Sequence, residues 1–265
     1  LIVYRNSESD LFLIPNASNT SDVVADLKSK APDSIEIVNL HESFGVIAVQ
    51  GPLSKDVIKS FGIDPVMDYM AFAHVVIAGC EVILCRTGYT GEHGYEIVPR
   101  WEDAAKVWDA LASAIAPLGG LVCGLGARDT LRTEMGYPLH GHELSLTINP
   151  LEANLSWAIG WKKNEFHGAG ALRAEQVKGI NRLLRGLLLT ERGIPRGGML
   201  VRNGLGAVVG EVTSGTFSPT LKEGIALALI ESGIEVGEQL SVDVRGRNLS
   251  AVVTKPPFVN SHVRD

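Results

Sequence analysis

Residues 155–265 consist largely of short apolar runs that glycine and proline interrupt repeatedly. Six of these runs have the length and composition of β-strands: Arg185–Leu189, Met199–Arg202, Ala207–Val212, Ile225–Ile230, Leu240–Val244 and Leu249–Val253. Short strands at this spacing favour a barrel or a double sheet, in which few strand edges stay unpaired. The pattern predicts a C-terminal β-barrel or jelly-roll-like domain over residues 155–265.

The first 154 residues mix strands with helices. Residues 1–50 predict strands around one amphipathic helix, Ser21–Lys30, with Ser21 as its N-cap; the strands are Leu1–Arg5, Leu11–Ile14, Ile35–Leu40 and Phe44–Gln50. The Gly51-Pro52 turn then opens a second unit. Its predicted helices are Lys55–Phe61, Trp101–Ala116 and Ala127–Met135, and its strands are Ala73–Ile77, Val82–Arg86 and Tyr95–Val98. We therefore expect an α+β protein with antiparallel domains at 1–50 (the remainder of a ferredoxin-like domain) and 51–154, before the barrel-like domain.

Composition and charge exclude several classes of protein. A chain of 265 residues with 45% hydrophobic content can bury a sizeable core, and no apolar run reaches the length of a membrane span. The net charge of −6 argues against a nucleic-acid partner. Residues 1–155 carry 10 basic and 20 acidic residues, and residues 156–265 carry 14 basic and 10 acidic residues. The net charges of the two parts, −10 and +4, therefore have opposite signs. The basic part could dock an acidic partner or ligand tail, or could be an ordinary solvated surface.

The sequence contains no complete motif for the common cofactors or for a metal ion. Gly124-Leu125-Gly126 begins like a dinucleotide-binding loop, but Asp129 stands at the third glycine position. Three cysteines without C-x-x-C spacing and one close histidine pair, His140 and His142, give no metal site. We expect no metal, no membrane association and a cytoplasmic location, or the mitochondrial matrix if the source is eukaryotic.

The stretch from Arg86 to Ile97 places three glycines, two glutamates and two tyrosines between two predicted strands. A glycine-rich hairpin would explain the glycines, which also let a backbone approach a ligand closely. It does not explain Glu96, because alternation along the strand points this carboxylate to the face opposite Tyr95 and Ile97. A buried carboxylate at this place needs hydrogen-bond donors.

A second informative stretch runs from Gly126 to Tyr137 and places Arg128 and Arg132 one helical turn apart, near Asp129. Alone, it could be a salt-bridged surface helix. Together with Glu96 it suggests a folate site, since a carboxylate complements a ring with adjacent N–H donors and guanidinium groups complement carboxylates.

Five motifs in these and other positions resemble the glycine-cleavage T-protein family. They are R-T-G-Y-T-G-E-H-G-Y-E-I at 86–97, G-L-G-A-R-D-T-L-R-T-E-M-G-Y-P-L-H-G at 124–141, V-Q-G-P at 49–52, T-S-G-T-F-S-P-T-L at 213–221 and P-F-V at 257–259. The resemblance runs in the family's order from Leu1 to about Val259. It implies a three-domain, folate-binding aminomethyltransferase architecture.

The resemblance also implies roles for individual residues. Glu96 would hold the N–H donors of the pterin ring and Arg128 would help to hold the cofactor. Asn16, in the F-L-I-P-N turn, and Tyr89 match positions around the same cavity.

Two further matches lie in the third predicted domain. Trp157 would supply an aromatic wall and Arg185 a cation for the glutamyl tail of the folate. A core tryptophan and a surface arginine are the alternatives for these two positions.

The implied reaction transfers a one-carbon unit from the aminomethylated lipoyl arm of the acidic H-protein to N5 of tetrahydrofolate and releases ammonia. In the family the catalytic carboxylate is the second aspartate of a pair just before the strand that matches Leu1–Val3. We therefore expect the chain to lack its N-terminal part, assign no catalytic residue within it, and expect it to be inactive by itself.

Three alternatives stay open at this point. One is the iron–sulfur-cluster-associated folate-binding relative, whose K-G-C-Y-x-G-Q-E loop is replaced here by residues 86–92. A second is the folate domain of a demethylating sarcosine or dimethylglycine dehydrogenase. The third is a folate-binding module that docks a lipoyl protein without catalysis.

Overall fold

The computed structural model describes residues 1–265, which divide into two compact units. Unit 1 comprises Leu1–Cys123 together with His262–Asp265, and unit 2 comprises Gly124–Ser261. Every paired strand in both units is antiparallel. The α+β fold class is therefore confirmed, while the boundaries predicted at residues 50 and 154 stay a prediction.

Unit 1 contains a two-stranded sheet, a four-stranded sheet and three helices. The strands are β1 (Ile2–Arg5), β2 (Leu11–Ile14), β3 (Ile47–Gln50), β4 (Phe72–Ile77), β5 (Cys80–Cys85) and β6 (Gly94–Pro99). The helices are α1 (Thr20–Lys30), α2 (Ser54–Ser60) and α3 (Ala104–Ile115). Strands β1 and β2 pair with each other, and the larger sheet has the order β3-β6-β5-β4.

The four-stranded sheet of unit 1 is covered on both faces. On one face Tyr95 and Ile97 of β6 pack with buried residues of α2 and α3, including Ile58 and Val107. On the other face Cys85 and Val98 pack with aromatic and aliphatic side chains of β1, β2 and β4. Alternation along each strand produces this division, since neighbouring residues point to opposite faces.

Unit 2 contains a closed barrel and two helices. The helices are α4 (Leu125–Glu134) and α5 (Ala169–Lys178), and the strands are β7 (Arg182–Leu189), β8 (Leu200–Arg202), β9 (Val208–Ser218), β10 (Glu223–Glu231), β11 (Gln239–Val244) and β12 (Arg247–Thr254). The barrel closes in the order β10-β7-β12-β11-β8-β9. Its interior is a continuous apolar cluster in which Leu187, Val201 and Ala251 are fully buried. The predicted barrel and its six strands are confirmed.

Two local predictions differ from the structure, and one helix was missed. Residues 35–40 form no strand; Ile35 and Val38 are more than half exposed, and an extended segment without a pairing partner is not stable as a strand. Helix α5 was not predicted, because only Ala169 on it is buried and the apolar periodicity is correspondingly weak. Helix α1 begins at Thr20, so Ser21 lies inside the helix and is not its N-cap.

No helix of the chain is both long and apolar enough to cross a bilayer.

Candidate active site

Glu96 lies near the middle of β6, opposite Cys85 of β5 and Ala48 of β3. It shares a sheet face with Cys85 and Val98, and its neighbours Tyr95 and Ile97 are buried on the other face. The side chain is half-buried. The predicted orientation of Glu96, away from Tyr95 and Ile97, agrees with this register.

Aromatic residues surround this part of the sheet face. Tyr4 of β1 is 3% exposed, and its ring centroid lies 4.9 Å from that of Phe72 on β4. The Tyr4 hydroxyl is buried beside the Cys85 thiol without a hydrogen bond of normal geometry. Aromatic rings with a carboxylate at their edge form a surface that suits a flat, polar heterocycle.

Burial holds both Tyr4 and Cys85 in their neutral forms. The pKa of Tyr4 is raised well above its ordinary value by desolvation first, and also by the charge of Glu96. Desolvation likewise raises the pKa of Cys85 to about 11, with a smaller contribution from Glu96. Both groups are therefore neutral near pH 7, beside the Glu96 carboxylate.

The glycines of the 86–97 stretch have a structural cause. The side chain of Gln50 packs against Gly88 and Gly94, where an added Cβ would lie 1.9 Å and 2.4 Å from its amide atoms. The Gln50 amide donates to the carbonyls of Thr87 and Tyr95, both at 3.1 Å. The V-Q-G-P and R-T-G-Y-T-G motifs thus meet at one side chain, and these two glycines make room for Gln50.

Asn16 and Tyr89 also belong to unit 1. Asn16 is exposed just before a short 3-10 turn, and its backbone carbonyl accepts a 2.9 Å hydrogen bond from the Thr20 hydroxyl. Tyr89 is half-buried in the loop between β5 and β6. Both residues stay predictions as folate contacts.

In unit 2, helix α4 is held by a buried ionic network centred on Arg132, which is 1% exposed. Its guanidinium donates to Glu143 at 2.9 Å, to Asp129 at 2.6 Å and to the Ser214 hydroxyl at 2.7 Å. Glu143 is fully buried and also accepts from the Leu139 amide and the Thr213 hydroxyl. Each charge in this network has an opposite partner, as burial requires.

Alternate residues of β9 continue this attachment. Ser214, Thr216 and Ser218 lie on one side of the strand, and each forms a hydrogen bond with a side chain of α4. Thr216 bonds the Thr130 hydroxyl at 3.0 Å, and Ser218 donates to the Glu134 carboxylate at 2.5 Å. The T-S-G-T-F-S motif is therefore the strand surface that fixes α4.

Arg128, Trp157 and Arg185 occupy different environments in unit 2. Arg128 is exposed on α4, one turn before the buried Arg132, so the salt-bridged helix of the alternative lies only partly on the surface. Trp157 is 81% exposed, so it is not a core residue. Arg185 is half-buried on β7; its Nε is buried without a hydrogen bond, and its Nη1 makes only a 3.4 Å bond to a carbonyl.

Sequence reasoning missed Tyr4 and Cys85 as neighbours of Glu96, and Glu143 as the partner of Arg132. Cys85 meets Glu96 through the β5–β6 register, and Glu143 is 11 residues from Arg132 along the chain. Neither contact has a local signal in the sequence. The alternation Ile2-Val3-Tyr4 could have placed Tyr4 on the inner side of its strand, because Val3 is exposed.

Two family models match this chain. The GCVT N-terminal domain matches residues 1–163, and the glycine cleavage T-protein C-terminal barrel domain matches residues 182–260. The second match, to a barrel domain, covers all six strands of the closed barrel in unit 2.

Curated relatives and a solved structure support membership of the same family. An aminomethyltransferase of Mycobacterium tuberculosis is 56% identical over 261 residues, which are 98% of this chain and 71% of the relative. One from Parafrankia is 51% identical over 264 residues, 100% of this chain and 72% of the relative. The crystal structure of glycine cleavage system aminomethyltransferase T from Bartonella henselae superposes with a TM-score of 0.90 at 28% identity, covering 99% of this chain and 72% of that one. The chain belongs to the glycine cleavage T-protein family, and its function is aminomethyl transfer.

The Arg132 network makes a stability prediction. Arg132→Met leaves the fully buried Glu143 without its counter-charge, and unit 2 should lose about 3–5 kcal/mol of unfolding free energy. Adding Glu143→Gln should recover part of the loss, because a neutral amide is cheaper to bury than a carboxylate. Urea denaturation followed by circular dichroism measures both effects. Arg173→Met, on the exposed side of α5, is the control and should change stability by less than about 0.5 kcal/mol; an equal loss there would contradict the prediction.

Proposed function

We propose that this aminomethyltransferase uses tetrahydrofolate as the acceptor of the one-carbon unit and that Glu96 binds its pterin ring. The observation that carries the proposal is the half-buried carboxylate of Glu96 on an aromatic sheet face.

The chemistry of this face fits a pterin. The ring presents adjacent N–H donors along one edge, and the two oxygens of a carboxylate can accept both in parallel. Tyr4 and Phe72 provide aromatic surface beside Glu96, and both Tyr4 and Cys85 are neutral at physiological pH. A carboxylate partly removed from water binds such donors more strongly than an exposed one does.

We further propose Arg128, Trp157 and Arg185 as folate contacts. The support is strongest for Arg185, whose guanidinium forms no ion pair and whose Nε is buried without a partner. A cation in this state gains a charge-assisted hydrogen bond when a carboxylate arrives, and the glutamyl tail of a folate carries carboxylates. Trp157 offers an exposed ring for stacking.

The proposed donor is the aminomethylated lipoyl arm of an H-protein. Tetrahydrofolate, when bound, supplies the nitrogen that accepts the methylene unit, and ammonia leaves. The role proposed for Glu96 is to fix the orientation of the pterin, so that the acceptor nitrogen and the arm meet with little further loss of freedom. No residue of the chain is assigned as acid or base.

A turnover measurement separates the transferase from a non-catalytic folate-binding module. The full-length protein is mixed with tetrahydrofolate and aminomethylated H-protein, and ammonia and methylenetetrahydrofolate are quantified. The proposed donor and acceptor predict both products in equal amounts. Folate binding without either product would contradict the proposed pair of substrates, and omission of H-protein is the control.

Glu96→Ala should weaken tetrahydrofolate binding by about 100-fold or more, since it removes two hydrogen bonds to a charged acceptor. Calorimetric titration under anaerobic conditions measures the dissociation constant. Glu81→Gln, an exposed acid on the neighbouring strand β5, is the matched control and should bind normally. Near-normal affinity of Glu96→Ala would show that the pterin assignment is wrong.

Arg185→Met tests the tail contact separately. Loss of the cation should weaken tetrahydrofolate binding by about tenfold or more, because one charge-assisted hydrogen bond is lost, and should leave tetrahydropterin binding unchanged. The same titration with the two ligands gives both values. Arg247→Met, an exposed arginine of β12, should affect neither; equal weakening of both ligands by Arg185→Met would indicate a general structural effect.

A further inference from the structure

Unit 1 contains a cavity of about 250 Å³ that Glu96 does not line. Four basic residues line it: Lys55, Arg86, His93 and Arg264. Tyr69 and the C-terminal residue Asp265 are also part of the wall. The volume equals that of about eight water molecules, which is room for a small organic molecule.

Arg86 is the unusual member of this wall, because its charge is buried without an ion pair. The residue is 3% exposed, and its guanidinium donates to the carbonyls of Gly94 at 3.2 Å and of Val263 at 2.6 Å. No carboxylate lies within ion-pair distance of it. Its other close neighbours are the rings of Tyr69 and Tyr95, at 5.9 Å and 5.7 Å.

Further positive charge lies around the same space. Arg264 stacks over the Tyr69 ring at 5.1 Å, and the Lys55 ammonium donates to the Asp265 carbonyl at 2.9 Å. His93 stays neutral near pH 7, since burial lowers its pKa to about 4, helped by the charges of Arg86 and Lys55. Three cations, Lys55, Arg86 and Arg264, line the wall together with the side-chain carboxylates of Asp68 and Asp265, and the Asp265 carboxylate is bonded to His262 at 2.6 Å.

A purely structural role for Arg86 accounts for only part of this arrangement. Its bond to Val263 attaches the C-terminal residues, and the His262 amide adds a 2.7 Å bond to the carbonyl of Gly91. Carbonyl dipoles satisfy two N–H groups, but they do not balance the net charge of a buried guanidinium. An anion in the cavity would balance it. Pro65, Val66 and Met67 supply an apolar part of the wall.

We propose that this cavity binds a small organic anion, with its carboxylate or phosphate directed to Arg86, Lys55 and Arg264 and its apolar part against Pro65–Met67. Guanidinium and ammonium groups are the usual partners of both kinds of oxyanion. Because Arg264 and Lys55 come from the C-terminal residues and from α2, a bound anion bridges them. Binding therefore also strengthens the attachment of His262–Asp265 to unit 1.

Calorimetric titration with inorganic phosphate and with butyrate tests the site, with chloride adjusted to constant ionic strength. We expect saturable binding of at least one of these probes by the wild-type protein; the two probes distinguish phosphate from carboxylate ligands. The double variant Lys55→Gln/Arg264→Gln should bind about tenfold more weakly or worse, as expected for lost charge-assisted hydrogen bonds. Both replaced residues are exposed, so the variant should keep its fold.

The control variant Lys59→Gln/Lys106→Gln removes the same charge from exposed positions on α2 and α3 and should bind normally. Amide exchange gives an independent readout, since a bound anion should slow exchange of the His262 N–H in the wild type and in this control, but not in Lys55→Gln/Arg264→Gln. Binding no stronger than that of chloride, or equal weakening in both double variants, would overturn the proposal.

Discussion

The buried contact between Arg132 and Glu143 determines where helix α4 lies in unit 2. Arg132 belongs to α4, Glu143 to the loop that follows it, and Ser214 to β9, so three separate segments meet at one guanidinium. Neither charge can leave its partner without a large desolvation cost, so the alternatives to this position of α4 are strongly disfavoured. Arg128 lies one turn earlier on the same helix and takes its place from this contact.

In unit 1, apolar packing and the hydrogen bonds of a neutral side chain fix the position of strand β6. Helices cover one face of the four-stranded sheet and the β1–β2 strands cover the other, so each residue of β6 has an assigned face. Gln50 adds a polar anchor by filling the space that Gly88 and Gly94 leave open and by bonding the backbone on both sides of it. The register of Glu96 against Cys85 follows from these constraints, and a shift by one residue would turn the carboxylate into the helix-covered core.

The sequence predicts what depends on local pattern and misses what depends on pairing between distant segments. The barrel strands and α4 were predicted because alternation and periodicity are local properties. The segment 35–40 has a strand-like composition but lacks a partner, and α5 buries too little to show an apolar stripe. In the candidate site, alternation predicted the face of Glu96, whereas Tyr4 and Cys85 became visible as neighbours only through the register of the folded sheets.

Three arginines of this chain differ in how their charge is balanced. Arg132 has carboxylate partners for its charge and holds the fold together. Arg185 and Arg86 are shielded from water to different degrees, and neither forms an ion pair. Folding alone gives little reason to bury a cation in that state, since an apolar side chain of similar size would cost less. The missing counter-charge is the reason that a ligand anion is proposed at these two positions and not at the better-bonded Arg132.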